Sequence, residues 1–180
     1  NQDTQKTIEL FQQAINKGVI KANYGMGYLY FEGKTIPQDY QEAIRYLKIA
    51  AAASDIDALN LIAIMYRNGL GVKTNKPEGL KYWIQAAELG SELAQFNLAK
   101  IYLKGIEKPK NKKEAIRLLE LSAQKNNPLA NDLLGEIYNE TITIKGDIKK
   151  ALANYGGDRK KSIEHSKIAA KKGIFSSSSN

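Results

Sequence analysis

Apolar and small residues recur along the chain at helical spacing and, over longer range, with a period of 36. In residues 22–30, Ala22, Met26, Leu29 and Tyr30 stand at i, i+4, i+7 and i+8, which predicts an α-helix burying that stripe. Gly33 then sits where a helix takes a left-handed cap. After a short loop, Asp39 is placed as an N-cap, with Glu42 three residues later in the pattern of a capping box. A second amphipathic helix follows and buries Ala43, Tyr46, Leu47 and Ala50.

The same signals return in register. Ala22, Ala58, Ala94 and Ala130 are each 36 apart, as are Tyr30, Tyr66, Tyr102 and Tyr138. Gly33, Gly69 and Gly105 keep that spacing, as do the caps Asp39, Asn75 and Asn111. Small pairs close each period at Ala50-Ala51, Ala86-Ala87 and Ser122-Ala123. Each period therefore reads as helix, turn, helix, and no single pair can bury its apolar face alone, so the units must stack. The array divides into a half repeat at 1–18, repeats at 19–53, 54–89, 90–125 and 126–173, and a tail at 174–180. The fourth repeat departs from the period: Tyr138 to its matching cap Asp158 is 20 residues, against 9 in the others, an insertion of 20 − 9 = 11 within residues 139–157. That insertion reads either as a modified binding loop or as a tolerated surface loop.

These columns resemble the Sel-one-like repeat, a relative of the tetratricopeptide repeat with a slightly longer unit, over nearly the whole chain. Gly79 where Ala is usual, Ile106 in the third loop and the long fourth loop are departures. The resemblance implies an all-α fold, a right-handed α-α superhelical solenoid of helix-turn-helix repeats. It also implies an adaptor that presents a concave groove to another protein or peptide. A sharper version of that reading is an immunity protein neutralising a secreted bacterial toxin; a separate alternative, which rests on the basic second half of the chain, is a binder of anionic surfaces or nucleic acid. Envelope and signalling proteins are further partners of such modules, and a periplasmic or secreted location is expected over a cytoplasmic one. The chain opens at Asn1 in a polar run, which reads as a removed leader or an excised fragment.

First helices line the inner curve of such arrays. The direction opposite their core stripe falls on Tyr24, Tyr28 and Phe31 in the first repeat and on Asn60, Ile64 and Arg67 in the second. In the third it falls on Phe96, Lys100 and Leu103, and in the fourth on Asp132, Glu136 and Asn139. Aromatic side chains on a face meant for solvent suggest a partner-binding surface. The alternative is that Tyr24 and Tyr28 pack on neighbouring helices.

Charge is uneven. The net charge is +8, of which residues 1–90 contribute 10 − 9 = +1 and residues 91–180 contribute 17 − 10 = +7. The excess gathers at Lys108, Lys110, Lys112 and Lys113, and at Lys145, Lys149, Lys150, Arg159, Lys160 and Lys161. Without interleaved aromatics these read first as a solvated rim, and second as a patch for an acidic partner. Catalytic and metal chemistry find little support. Cys is absent and His165 is the one histidine, so thiolate sites and paired imidazoles are excluded. No catalytic residue, cofactor or metal site is expected, and the chain is read as a non-enzyme.

Overall fold

The computed structural model describes residues 2–144 and Glu164. Among the described residues every regular element is an α-helix: α1 (Gln2–Asn16), α2 (Lys21–Glu32), α3 (Tyr40–Ala52), α4 (Ile56–Asn68), α5 (Lys76–Glu88), α6 (Glu92–Lys104), α7 (Lys112–Gln124) and α8 (Pro128–Ile144). Two compact units form, Asn1–Ala94 and Gln95–Asn180. In the first, α1 packs on α2, α2 on α3, α3 on α4 and α4 on α5; in the second, α7 packs on α8. The fold is an all-α helical repeat.

The caps explain the constant length of the loops. Gly33, Gly69 and Gly105 all sit at φ 69°, and their amides close on Leu29, Met65 and Ile101 carbonyls. Nine residues after each repeat tyrosine, the cap amide returns to that tyrosine's carbonyl: Asp39 to Tyr30 at 3.0 Å, Asn75 to Tyr66 at 2.7 Å and Asn111 to Tyr102 at 3.0 Å. The same three caps then accept amides of the next helix, Asp39 from Gln41 and Glu42, Asn75 from Glu78, and Asn111 from Glu114. One loop conformation is thus repeated three times. In the fourth position Thr141 stands where the glycines stand, and α8 runs on to Ile144. The rest of the insertion, the Asp158 cap, the second basic cluster and His165 lie outside the described residues.

The capping box is only half formed. The Glu42 carboxylate turns away from the Asp39 amide and takes both Arg45 nitrogens, at 3.0 and 2.8 Å. Glu114 does the same with Arg117, a bidentate geometry a carboxylate favours over one amide. The guanidinium bonds hold both carboxyls below the usual glutamate range.

The cores of the pairs are built on small residues. A Cβ on Gly25 would enter the Phe11 ring of α1, and one on Gly27 would stand 2.7 Å from Leu47 Cγ of α3 and 3.0 Å from the Ala43 carbonyl. In the next pair the roles reverse: Ala63 stands where Gly27 does, and Gly79 replaces Ala43. A Cβ on Gly79 would stand 2.8 Å from the Ala63 carbonyl. That contact accounts for the glycine that breaks the family pattern. Leu47, Leu59, Ile62, Met65, Leu119 and Leu134 are fully enclosed.

The core stripe of the first helix is rotated from its expected position. Ala22 and Met26 are buried, but with them go Asn23 and Gly27, while Leu29 and Tyr30 are half-buried. Tyr46, expected in the core, is also half-buried, as is Tyr82. Each lies nearly parallel on the repeat tyrosine of its partner helix, Tyr46 on Tyr30 at 6.0 Å and Tyr82 on Tyr66 at 5.7 Å, with Arg45 over the Tyr46 ring. The stacked pairs seal the edge of the core. Trp83 is buried.

Candidate functional site

The outward residues of the first helices fall into two surfaces, one in each unit. In the first unit the aromatic residues form a continuous run. Tyr24 lies 6.0 Å from Tyr28, Tyr28 lies 6.4 Å from Phe31, and Phe31 lies 5.6 Å from Tyr40 at the start of α3. Tyr28 is 41% exposed, whereas Tyr24, Phe31 and Tyr40 are half-buried. Burial first, and then the Asp57 carboxylate, raises the Tyr24 phenol above its ordinary range. Gly71 of the following loop presses on the Tyr40 backbone, since a Cβ there would stand 2.7 Å from the Tyr40 carbonyl carbon. The run is therefore held from behind and open at Tyr28.

The second repeat does not extend this surface as expected. Asn60 is buried, with 9% exposure. Its amide nitrogen donates to Ser91 Oγ at 2.8 Å, and that hydroxyl donates back to Asn60 Oδ1 at 3.2 Å. Ser91 Oγ also accepts the Ala94 amide as the cap of α6. Asn60 thus fastens α4 to the start of the next helix and is withdrawn from any partner. Arg67 is half-buried, its guanidinium 4.5 Å from the centre of the Trp83 ring. Ile64 is half-buried beside it on α4.

In the second unit a groove of about 360 Å³ opens between the two first helices. Phe96, Lys100, Leu103 and Lys104 of α6 form one wall, and Leu129, Asp132, Leu133 and Glu136 of α8 form the other. All five of the expected residues Phe96, Lys100, Leu103, Asp132 and Glu136 line it. Lys104, Leu129 and Leu133 were not anticipated; the signal was the helical spacing, Lys104 four after Lys100, Leu129 three before Asp132 and Leu133 four after Leu129. Asn139 is exposed one turn further along α8. The apolar members form a strip with Leu129 at 53% exposure, and Lys100 Nζ stands 5.4 Å from the centre of the Phe96 ring. Among the described residues no ion pair joins the two lysines to the two carboxylates.

The first basic cluster lies on the loop before α7 and in its first turn, with Lys110, Lys112 and Lys113 exposed and Lys108 half-buried. Among the described residues no group of three or more His, Cys, Asp or Glu could hold a metal ion. No described helix is long and apolar enough to cross a membrane.

Paired helices at a fixed period define a helical-repeat protein. The Sel1 repeat model matches residues 1–19, 20–55, 56–91 and 93–127, and the chain belongs to the Sel1 repeat family. Sel1 repeats serve generally as protein-interaction modules and are typically non-enzymatic.

Solved structures agree on the fold. The chain is 27% identical, with a TM-score of 0.75, to a protective antigen present in uropathogenic Escherichia coli strains that displays an SLR fold. It is 24% identical, with a TM-score of 0.76, to a Sel1 repeat protein from Oxalobacter formigenes. A putative Sel1 repeat protein from Klebsiella pneumoniae is 26% identical, with a TM-score of 0.52, over 90% of this chain and 72% of its own. The match covers 93% of this chain but 33% of the Escherichia coli protein, and 94% of this chain but 65% of the Oxalobacter protein. A search of curated proteins gave no significant match.

Proposed function

We propose that this chain binds another protein through the outward faces of its first helices, with the α6–α8 groove as the principal contact. The observation that carries the reading is the groove itself: an apolar strip open to solvent and bordered by four charged side chains. Exposed apolar surface rimmed by polar groups is the usual mark of an interaction site. Five of its eight lining side chains, Phe96, Lys100, Leu103, Asp132 and Glu136, come from the outward register positions of the first helices. The aromatic run ending at Tyr28 is a second, smaller contact in the first unit.

Leu129→Glu tests the reading. Leu129 is the most exposed apolar residue of the groove, so a carboxylate there leaves the helices intact while making the strip unfit for an apolar anchor. The 180-residue chain is used as bait for a pull-down from source-cell extract and envelope at two salt concentrations. The expected result is a protein retained at high salt by the native chain and lost by Leu129→Glu, with unchanged helical circular dichroism. Equal retention by both would remove the groove from the function.

A further inference from the structure

We propose that the α6–α8 groove takes a short peptide segment of a partner protein, carrying one bulky apolar side chain flanked by an acidic residue on the α6 side and a basic residue on the α8 side. This rests on the interaction reading above and specifies the partner's chemistry.

The size of the groove sets the first limit. About 360 Å³ is near the lower end of small-ligand sites, which run from roughly 300 to 1,000 Å³. That accommodates one or two large side chains between Phe96 and Leu103 on one wall and Leu129 and Leu133 on the other.

The charges set the second. Lys100 and Lys104 are four apart on α6, and Asp132 and Glu136 are four apart on α8, so each helix carries a stripe of one sign along its rim. Like charges at that spacing disfavour the helix that bears them. Among the described residues no ion pair crosses the groove, so the two stripes do not meet at contact distance. An occupant with opposite charges on its two edges relieves both stripes at once. A polyanion such as a nucleic acid or an anionic membrane meets the lysines but is repelled by Asp132 and Glu136; a polycation meets the reverse. Only a segment with both signs bracketing an apolar anchor is complementary to the whole rim.

A phage-displayed library of random dodecapeptides, panned on the full chain, tests this. Two charge-reversed chains are panned in parallel, Lys100→Glu with Lys104→Glu, and Asp132→Lys with Glu136→Lys, after circular dichroism shows native helix content. The expected consensus from the native chain has a large apolar residue between an acidic and a basic residue. Each reversal is expected to invert the selected charge on its own side only, and to weaken the native consensus peptide about tenfold or more in fluorescence anisotropy. A consensus without the two charges, or one that neither reversal alters, overturns the proposal. So does a dimer in sedimentation velocity that both reversals dissolve, which assigns the groove to a second copy. If no dodecapeptide is enriched while Leu129→Glu still abolishes capture of the cellular partner, the peptide proposal alone falls. If Leu129→Glu also leaves capture intact, the interaction reading of the groove falls with it.

Discussion

Asn60 and Phe96 occupy the same position in successive repeats, 36 residues apart, and their fates differ. Phe96 lines an open groove, whereas Asn60 is enclosed and exchanges two hydrogen bonds with Ser91. A helical projection gives the direction of a side chain from its own axis. It carries no information on the cap of the next first helix, which here supplies the hydroxyl that draws Asn60 inward. Ser91 belongs to a column that the repeat search passed over, the first-helix caps Asp55, Ser91 and Asn127, each three residues before a repeat alanine. Asp55 accepts the Ala58 amide and Asn127 those of Leu129 and Ala130. The signal was present as a cap residue at a fixed offset. Asn60→Ala is expected to lower stability by about 1–3 kcal/mol, because it leaves the buried Ser91 hydroxyl without one partner, and to leave partner affinity unchanged. Urea unfolding and binding of the captured partner, measured on the same variant, check both halves; a loss of affinity without a loss of stability would return Asn60 to the binding face.

At the scale of the helix pair, the repeat columns were legible because each has a local cause. The glycine column supplies a left-handed cap, and the Asp and Asn column supplies acceptors for the next helix. The tyrosine column is tied to those caps by a backbone bond across nine residues. What periodicity does not carry is how two helices cross. That is why Leu29, Tyr30, Tyr46 and Tyr82 are less buried than their stripes suggested, and why Gly79 looked like a defect. In the first two pairs one methyl group stands at the crossing, on Ala43 opposite Gly27 and on Ala63 opposite Gly79, whereas the third pair has alanine at both places, Ala99 and Ala115. Gly79→Ala is therefore expected to destabilise the fold. The overpacking cost of about 1–3 kcal/mol exceeds the gain in helix propensity of about 0.8–1 kcal/mol. Adding Ala63→Gly recreates the arrangement of the first pair and is expected to recover part of the loss. Thermal unfolding of the single and double variants is the check, and a stabilised single variant would show that propensity rather than the crossing governs this position.

At the scale of the whole molecule, an all-α helical repeat with a fixed loop offers a few outward positions per repeat and spends the rest on stacking. The expected positions in the third and fourth repeats line one groove, while in the second repeat Asn60 and Arg67 are taken up internally. The outward face was thus readable where its members are large or charged and have open space before them. It was not readable where a neighbouring helix offers a partner. Chemistry of the groove, apolar between two opposed stripes of charge, comes from juxtaposing α6 and α8, whose residues are about thirty apart in sequence.

The most direct test of the interaction reading is hydrogen–deuterium exchange of the full chain with and without its captured partner. The account predicts that protection on binding concentrates in peptides covering α6 and α8, with a smaller effect in α2 around Tyr28 and little change in α3, α5 and α7. Protection confined to the second helices, or to the lysine-rich loop at residues 108–113, would contradict it.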